Sequence, residues 1–285
     1  MKIITHIQTH NINSSLVRYF LNDLHLKTDY CYLDEKEICI GAGFKVEKDT
    51  EKFYKIISLL EQNKVEYSVI NKADFSKKEI ESSSLFSVLD SFINIDINEN
   101  DNKGKALCSH CQSGLTLTGP LKININQLKS NRINIVTYNV QEFIWVIHKR
   151  YACYFENFSG IIFEPVIDTS RKKNNDSFLA LRFYNILDAM DKRTNFIPNG
   201  RPYCRYCNIP GRTLYEDMYY SDDTIKRAID FNLTQEYFGG GAPIRWVLVS
   251  QRVRQTILQN KLLTFGCFRP VVIVASDTNA YFETK

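Results

Sequence analysis

The sequence predicts an α+β protein in two parts, and three observations carry that prediction. Over Lys2–Ile70, alternating and helical apolar patterns follow one another in the order strand, helix, strand, strand, helix, strand. An Asn- and Asp-rich stretch, Asn94–Gly104, then reads as a loop or linker. In the remainder, one ordered set of features occurs twice.

The first part takes its elements from periodicity. Lys2–Thr9 alternates apolar and polar residues, the pattern of a half-buried strand. Ser14–His25 sets Leu16, Phe20, Leu21 and Leu24 on one helical face. Tyr30–Leu33 and Glu37–Ala42 form a predicted hairpin turning at Asp34-Glu35-Lys36. Thr50–Gln62 is helical, with Phe53, Ile56, Ile57 and Leu60 as its apolar stripe, and Glu66–Ile70 closes the series as a strand. This order is that of a ferredoxin-like unit with an antiparallel sheet, placed at about residues 1–90. Such a scaffold hosts many functions and names none.

Residues 91–285 read as a duplicated α+β unit, with repeats at about 105–168 and 201–275. Each repeat begins with a cysteine pair. A short apolar strand follows and ends at a hydroxyl residue placed to cap a helix: Thr137 in Ile135–Trp145, Ser250 in Trp246–Leu258. Downstream, Gly160-Ile161-Ile162-Phe163-Glu164-Pro165-Val166 answers Gly266-Cys267-Phe268-Arg269-Pro270-Val271. A second polar stretch, Asp168–Asp176, divides the two halves.

Composition narrows the function classes. The chain has 285 residues, 44% hydrophobic and 24% charged, enough to bury a real core, with a formal net charge of +4 spread over its length. No basic block of the kind that tracks phosphates occurs, which speaks against a nucleic-acid partner. The start has no apolar signal region and no run of about 18 apolar residues exists, so no membrane span is expected and the expected address is the cytoplasm. Thiols stay reduced there, and a Cys-x-x-Cys pair then favours a metal over a disulfide.

Two such pairs are present, in Leu107-Cys108-Ser109-His110-Cys111-Gln112-Ser113-Gly114 and in Tyr203-Cys204-Arg205-Tyr206-Cys207-Asn208-Ile209-Pro210-Gly211. A Cys-x-x-Cys turn points both sulfurs to one side, and a following glycine permits the tight backbone. Cys108, Cys111, Cys204 and Cys207 therefore supply the thiolates of a tetrahedral structural Zn2+ site. An iron–sulfur cluster accepts the same four thiolates, a redox-active pair needs a strand-to-helix junction, and a metal-free set of thiols is the plainest alternative. His110 is placed as a further ligand or, inside the turn, as a neighbour of the site. A closed four-thiolate site leaves no position for water or substrate and argues for structure.

Catalytic motifs are sparse. The five histidines form no His-x-x-x-His or His-Glu-x-x-His pattern; no Gly-x-Ser-x-Gly elbow and no phosphate-binding loop occur. Gly239-Gly240-Gly241 reads as a bend. The chain is therefore expected not to be an enzyme. Tyr203, Tyr206, Tyr215, Tyr219 and Tyr220 cluster with Arg205 and Arg212 near the second cysteine pair. They are either packing around the metal or the aromatic and Arg anchors of a protein interface, for which Tyr206, Arg212 and Tyr215 are the candidates.

The two cysteine turns with following glycines, the strand-to-helix step at Val249-Ser250 and the closing Phe-x-Pro-Val resemble the double-CXXCG motif proteins of bacteria over about residues 85–275. In that family a glycine directly follows the second cysteine; here Gln112 and Asn208 stand there, and Gly114 and Gly211 come later. The family includes immunity proteins. The resemblance implies a non-enzymatic protein that binds and neutralises a cognate protein toxin. The alternatives are a zinc-containing nucleic-acid-binding or regulatory protein, or a thiol-dependent redox enzyme.

Overall fold

A computed structural model describes residues 1–33, 39–88, 102, 104–110, 114, 116–126, 135–138, 144–170, 173–198, 204, 206–207, 212–214, 216–239, 243–263 and 267–275. It is a mixed α+β structure, mostly sheet with several short helices. The chain divides into two compact units. One is Met1–Ile80 with a short piece holding Glu216 and Asp217; the other is Glu81–Leu214 with the chain from Met218 onward.

The first unit runs β1 (Lys2–His10), α1 (Ser14–Asn22), β2 (Lys27–Leu33), β3 (Cys39–Glu47), α2 (Glu51–Gln62), β4 (Glu66–Asp74) and the start of α3 (Lys77–Ser82). The four strands form one antiparallel sheet in the order β2-β3-β1-β4. The helices start where local chemistry starts them. Asn13 accepts the Ser15 N–H at 2.8 Å, and Thr50 accepts the Phe53 N–H at 3.2 Å, each satisfying an orphan donor of a first turn. α1 stops at Asn22, short of the predicted His25, because His25 takes a positive φ of 48° and Leu26 N–H turns back to the Phe20 carbonyl. The core joins Ile7, Ala42, Phe44 and Val46 of the sheet to Val17, Phe20, Ile56 and Leu60 of the helices. The outward amides of the β4 edge are capped by acid groups: Glu216 Oε1 accepts from Asn71 N–H at 2.8 Å, and Asp217 accepts from Ala73 N–H.

The second unit opens with β5 (Leu85–Val88), then β6 (Gly104–Lys105), β7 (Thr116–Leu117), β8 (Lys122–Ile123), β9 (Ile135–Tyr138), β10 (Ile144–His148), a 3-10 helix (Lys149–Tyr154), β11 (Ile161–Asp168) and β12 (Lys173–Phe183). It continues with β13 (Phe196–Pro198), β14 (Arg212–Leu214), β15 (Tyr219–Ser221), α4 (Asp222–Lys226), β16 (Phe231–Leu233), β17 (Val247–Ser250), α5 (Gln251–Gln259), β18 (Phe268–Pro270) and β19 (Val272–Val274). Two larger sheets result, β8-β11-β12-β10-β9 and β16-β17-β5-β18. Leu85–Val88, which the sequence reading leaves in a first part ending near 90, is buried along its whole length between β17 and β18. No helix among the described residues is long and apolar enough to cross a membrane.

Two further expectations are corrected here. Thr137 starts no helix: it lies in β9, which pairs with β10 through Trp145↔Thr137 and Val146↔Val136. Ile144, Trp145, Val146 and Ile147 are all buried, and a strand covered on both faces shows a continuous apolar run rather than alternation. At Ser250 the expected cap is present, with Ser250 Oγ accepting from Val253 N–H at 3.3 Å. The described residues of the polar stretch at Asp168–Asp176 belong to the β11–β12 pairing rather than to a linker. Buried Asp168 accepts from Ser170 N–H and Oγ at 3.0 and 2.7 Å, and Lys173–Asn175 pair with Val166–Asp168. Both Phe-x-Pro-Val segments lie at strands that break at the proline, which has no N–H for the ladder. β11 shifts register between Pro165 and Val166, and β18 ends at Pro270.

Asp230 ties the 3-10 region to β17 and α5. Its carboxylate accepts from Ser159 N–H and Oγ (both 3.0 Å), from Ser250 Oγ (3.0 Å) and from Arg252 Nη2 (2.7 Å). Burial raises its pKa, and the Ser159 amide, the Arg252 guanidinium and the serine hydroxyls outweigh that, so the net shift is downward. A carboxyl depressed in the folded state stabilises above its unfolded pKa and loses that contribution as pH falls. Stability is therefore expected to drop as pH falls from about 5 through the ordinary carboxylate value of about 3.9 and below. Asp230→Asn should flatten this acid limb in urea titrations run at stepped pH; an unchanged limb would assign it to other carboxylates.

Candidate metal centre

Cys108, Cys204 and Cys207 sit in segments closed by short antiparallel ladders. Gly104↔Leu117 and Lys105↔Thr116 close the loop that carries Cys108, and Phe196↔Leu214, Ile197↔Thr213 and Pro198↔Arg212 close the loop that carries Cys204 and Cys207. A ladder at the base fixes where each loop begins and ends, and these three cysteines lie between those ends. Gly114 shapes the first loop. Its φ is +66°, in the left-handed region that favours glycine.

The sulfurs of Cys108, Cys204 and Cys207 lie within 4.8 Å of one another. Cys108 is 5% exposed, and Cys204 and Cys207 are half-buried. Cys108 Sγ and Cys204 Sγ are 3.7 Å apart. A disulfide needs about 2.05 Å, so these are separate thiols. Tetrahedral ligation with metal–sulfur bonds of about 2.3 Å sets sulfur–sulfur edges of about 3.8 Å, and the pair matches that edge. The donor set fits a thiolate-bound metal ion. Cys111, the fourth cysteine of the sequence expectation, lies outside the described residues. Among the described residues the cluster holds no histidine: His110 stacks its ring on Tyr206, with centroids 3.7 Å apart and planes at 10°.

The expected interface residues separate. Tyr206 is 56% exposed on the second loop. Arg212 is half-buried in β14, with its guanidinium 4.8 Å from the Phe196 ring centroid. Tyr215 and Tyr203 lie outside the described residues. Tyr220 is core: fully buried, packed with Met218, Phe238 and Leu248, and held by burial and by Glu236 well above the usual phenol pKa. The His110–Tyr206 stack escaped the sequence reading, which holds only a partial signal for it. Both residues occupy the third position of their Cys-x-x-Cys turns.

Compared with protein-family models, with curated proteins and with solved structures, the chain matches none.

Proposed function

We propose that Cys108, Cys111, Cys204 and Cys207 hold one structural Zn2+ and that the chain acts by binding a protein, as an immunity protein against a cognate toxin. The observation that carries the metal part is the convergence of three cysteine sulfurs from two hairpin loops. Zinc suits it because it is redox-inert, accepts four thiolates and imposes tetrahedral geometry, so the ion works as a cross-link between the loops. The β2-β3-β1-β4 order and the matched hairpins support a ferredoxin-like unit followed by a duplicated zinc-binding unit, diverged at the Thr137 element.

The protein-binding part rests on the resemblance to double-CXXCG proteins and on the Tyr and Arg side chains beside the second cysteine pair. Exposed Tyr206 offers a large ring on a loop that zinc would hold rigid, which lowers the ordering cost of binding. The test is co-expression with the product of the gene immediately upstream in its genome. The expected result is a toxin-domain product whose growth arrest this chain relieves and which co-purifies with it. Tyr206→Ala and Arg212→Ala should then weaken the complex by about tenfold or more at a shared hot spot. Binding to DNA or RNA that falls steeply with salt would favour the nucleic-acid reading instead, and turnover lost with one cysteine while the fold survives would favour a thiol enzyme.

A further inference from the structure

Besides the sulfurs, a ring stack joins the two cysteine loops. His110 and Tyr206 are each the second of the two residues between the cysteines of their turns, and their rings lie almost parallel at 3.7 Å. The stack is thus set at matching positions beside the metal centre, with Tyr206 exposed and Leu107, just before the first turn, 70% exposed. We propose that this stack is a clamp: it holds the two turns in ligating register and sets how slowly a bound metal ion leaves. The proposal deepens the structural-zinc reading and rests on it.

An ion leaves by losing sulfurs one after another, and the cross-link between loops fails when one turn swings away from the other. With the rings stacked, that swing also breaks the ring contact, so a sulfur that has let go stays within reach and rebinds. Neither ring needs to touch the ion. Both act through the cysteine sulfurs and are positioning residues. Because Tyr206 is on the surface, its truncation leaves no cavity in the core, and the effect should appear in metal exchange more than in melting.

The full chain, loaded with zinc, is mixed with excess of the chromophoric chelator 4-(2-pyridylazo)resorcinol, and the release rate is followed. His110→Ala and Tyr206→Ala should each release zinc about three- to tenfold faster, the range expected from losing one aromatic contact. Tyr206→Phe, which keeps the ring, should match the wild type, and the double alanine variant should be no faster than either single one. If Tyr206→Ala is recovered without metal, Tyr206→Leu, which keeps apolar bulk but no ring, should show the acceleration. Wild-type rates in both alanine variants, or single effects that add in the double, would overturn the clamp while leaving the zinc site standing. A wild-type chain that carries no metal removes both.

Discussion

Cys204→Ser is expected to lower the stability of the second unit by several kcal/mol, because free energy of metal binding to a site absent from the unfolded chain is free energy of folding. The cross-link matters here for a local reason. The two loops are closed by ladders of only two and three residue pairs, too short to hold the loops in place alone. Chelator should lower the same transition as the mutation, and chelator added to Cys204→Ser should do nothing more. The first unit has its own core around Phe20, Phe44, Ile56 and Leu60, and its transition should persist. Cys31→Ser, at an exposed thiol, is the control and should melt as the wild type does. If Cys204→Ser melts within about 2 °C of the wild type, the cysteine cluster contributes too little to be a structural site.

Gly160→Ala should be nearly as damaging, for reasons unrelated to metal. Gly160 has a φ of +93°, and a Cβ built on it would sit 2.1 Å from the Phe231 carbonyl oxygen and 3.0 Å from its carbonyl carbon. Backbone cannot swing aside as a side-chain end can. The Phe231 amide bonds to the Ser159 carbonyl at 3.1 Å, and its ring packs with Trp145, Phe155, Phe158 and Phe183. The left-handed conformation alone costs an alanine about 1–2 kcal/mol. With the displacement of Phe231 the loss should reach about 3 kcal/mol or more, roughly 6–12 °C in melting temperature for a unit of this size. Gly119→Ala provides the comparison, since its Cβ would meet nothing within 4 Å. Equal melting of the two variants would contradict the account of Gly160.

The contrast between these sites shows what the sequence made legible. In the first unit each element buries one face: β1 buries Thr5, Ile7 and Thr9 in alternation, and α2 buries Ile56 and Leu60 one turn apart. Period and burial agree there, so the strands and helices could be read in order. β10 is buried on both faces and loses the alternation that would have marked it as a strand. β5 pairs with β17, more than 150 residues later, through contacts that leave no local pattern. Asp168 and Ser170 show turn chemistry, but nothing in their composition tells a hairpin turn from a linker. At the cysteine cluster the spacing was sufficient to bring Cys108, Cys204 and Cys207 into one candidate set, because ligand chemistry restricts residue type. The His110–Tyr206 stack depends on the loops meeting in space, which spacing along the chain does not encode.

The central claim is that the two cysteine turns share one ion. Native mass spectrometry of the purified full chain, beside a thiol count under the same non-denaturing conditions, tests it most directly. One zinc per chain should appear as added mass, four of the eight cysteines should become more reactive to alkylation once chelator removes it, and Cys204→Ser should lack the added mass. A folded chain that carries no metal, and whose thiol reactivity chelator leaves unchanged, would contradict it.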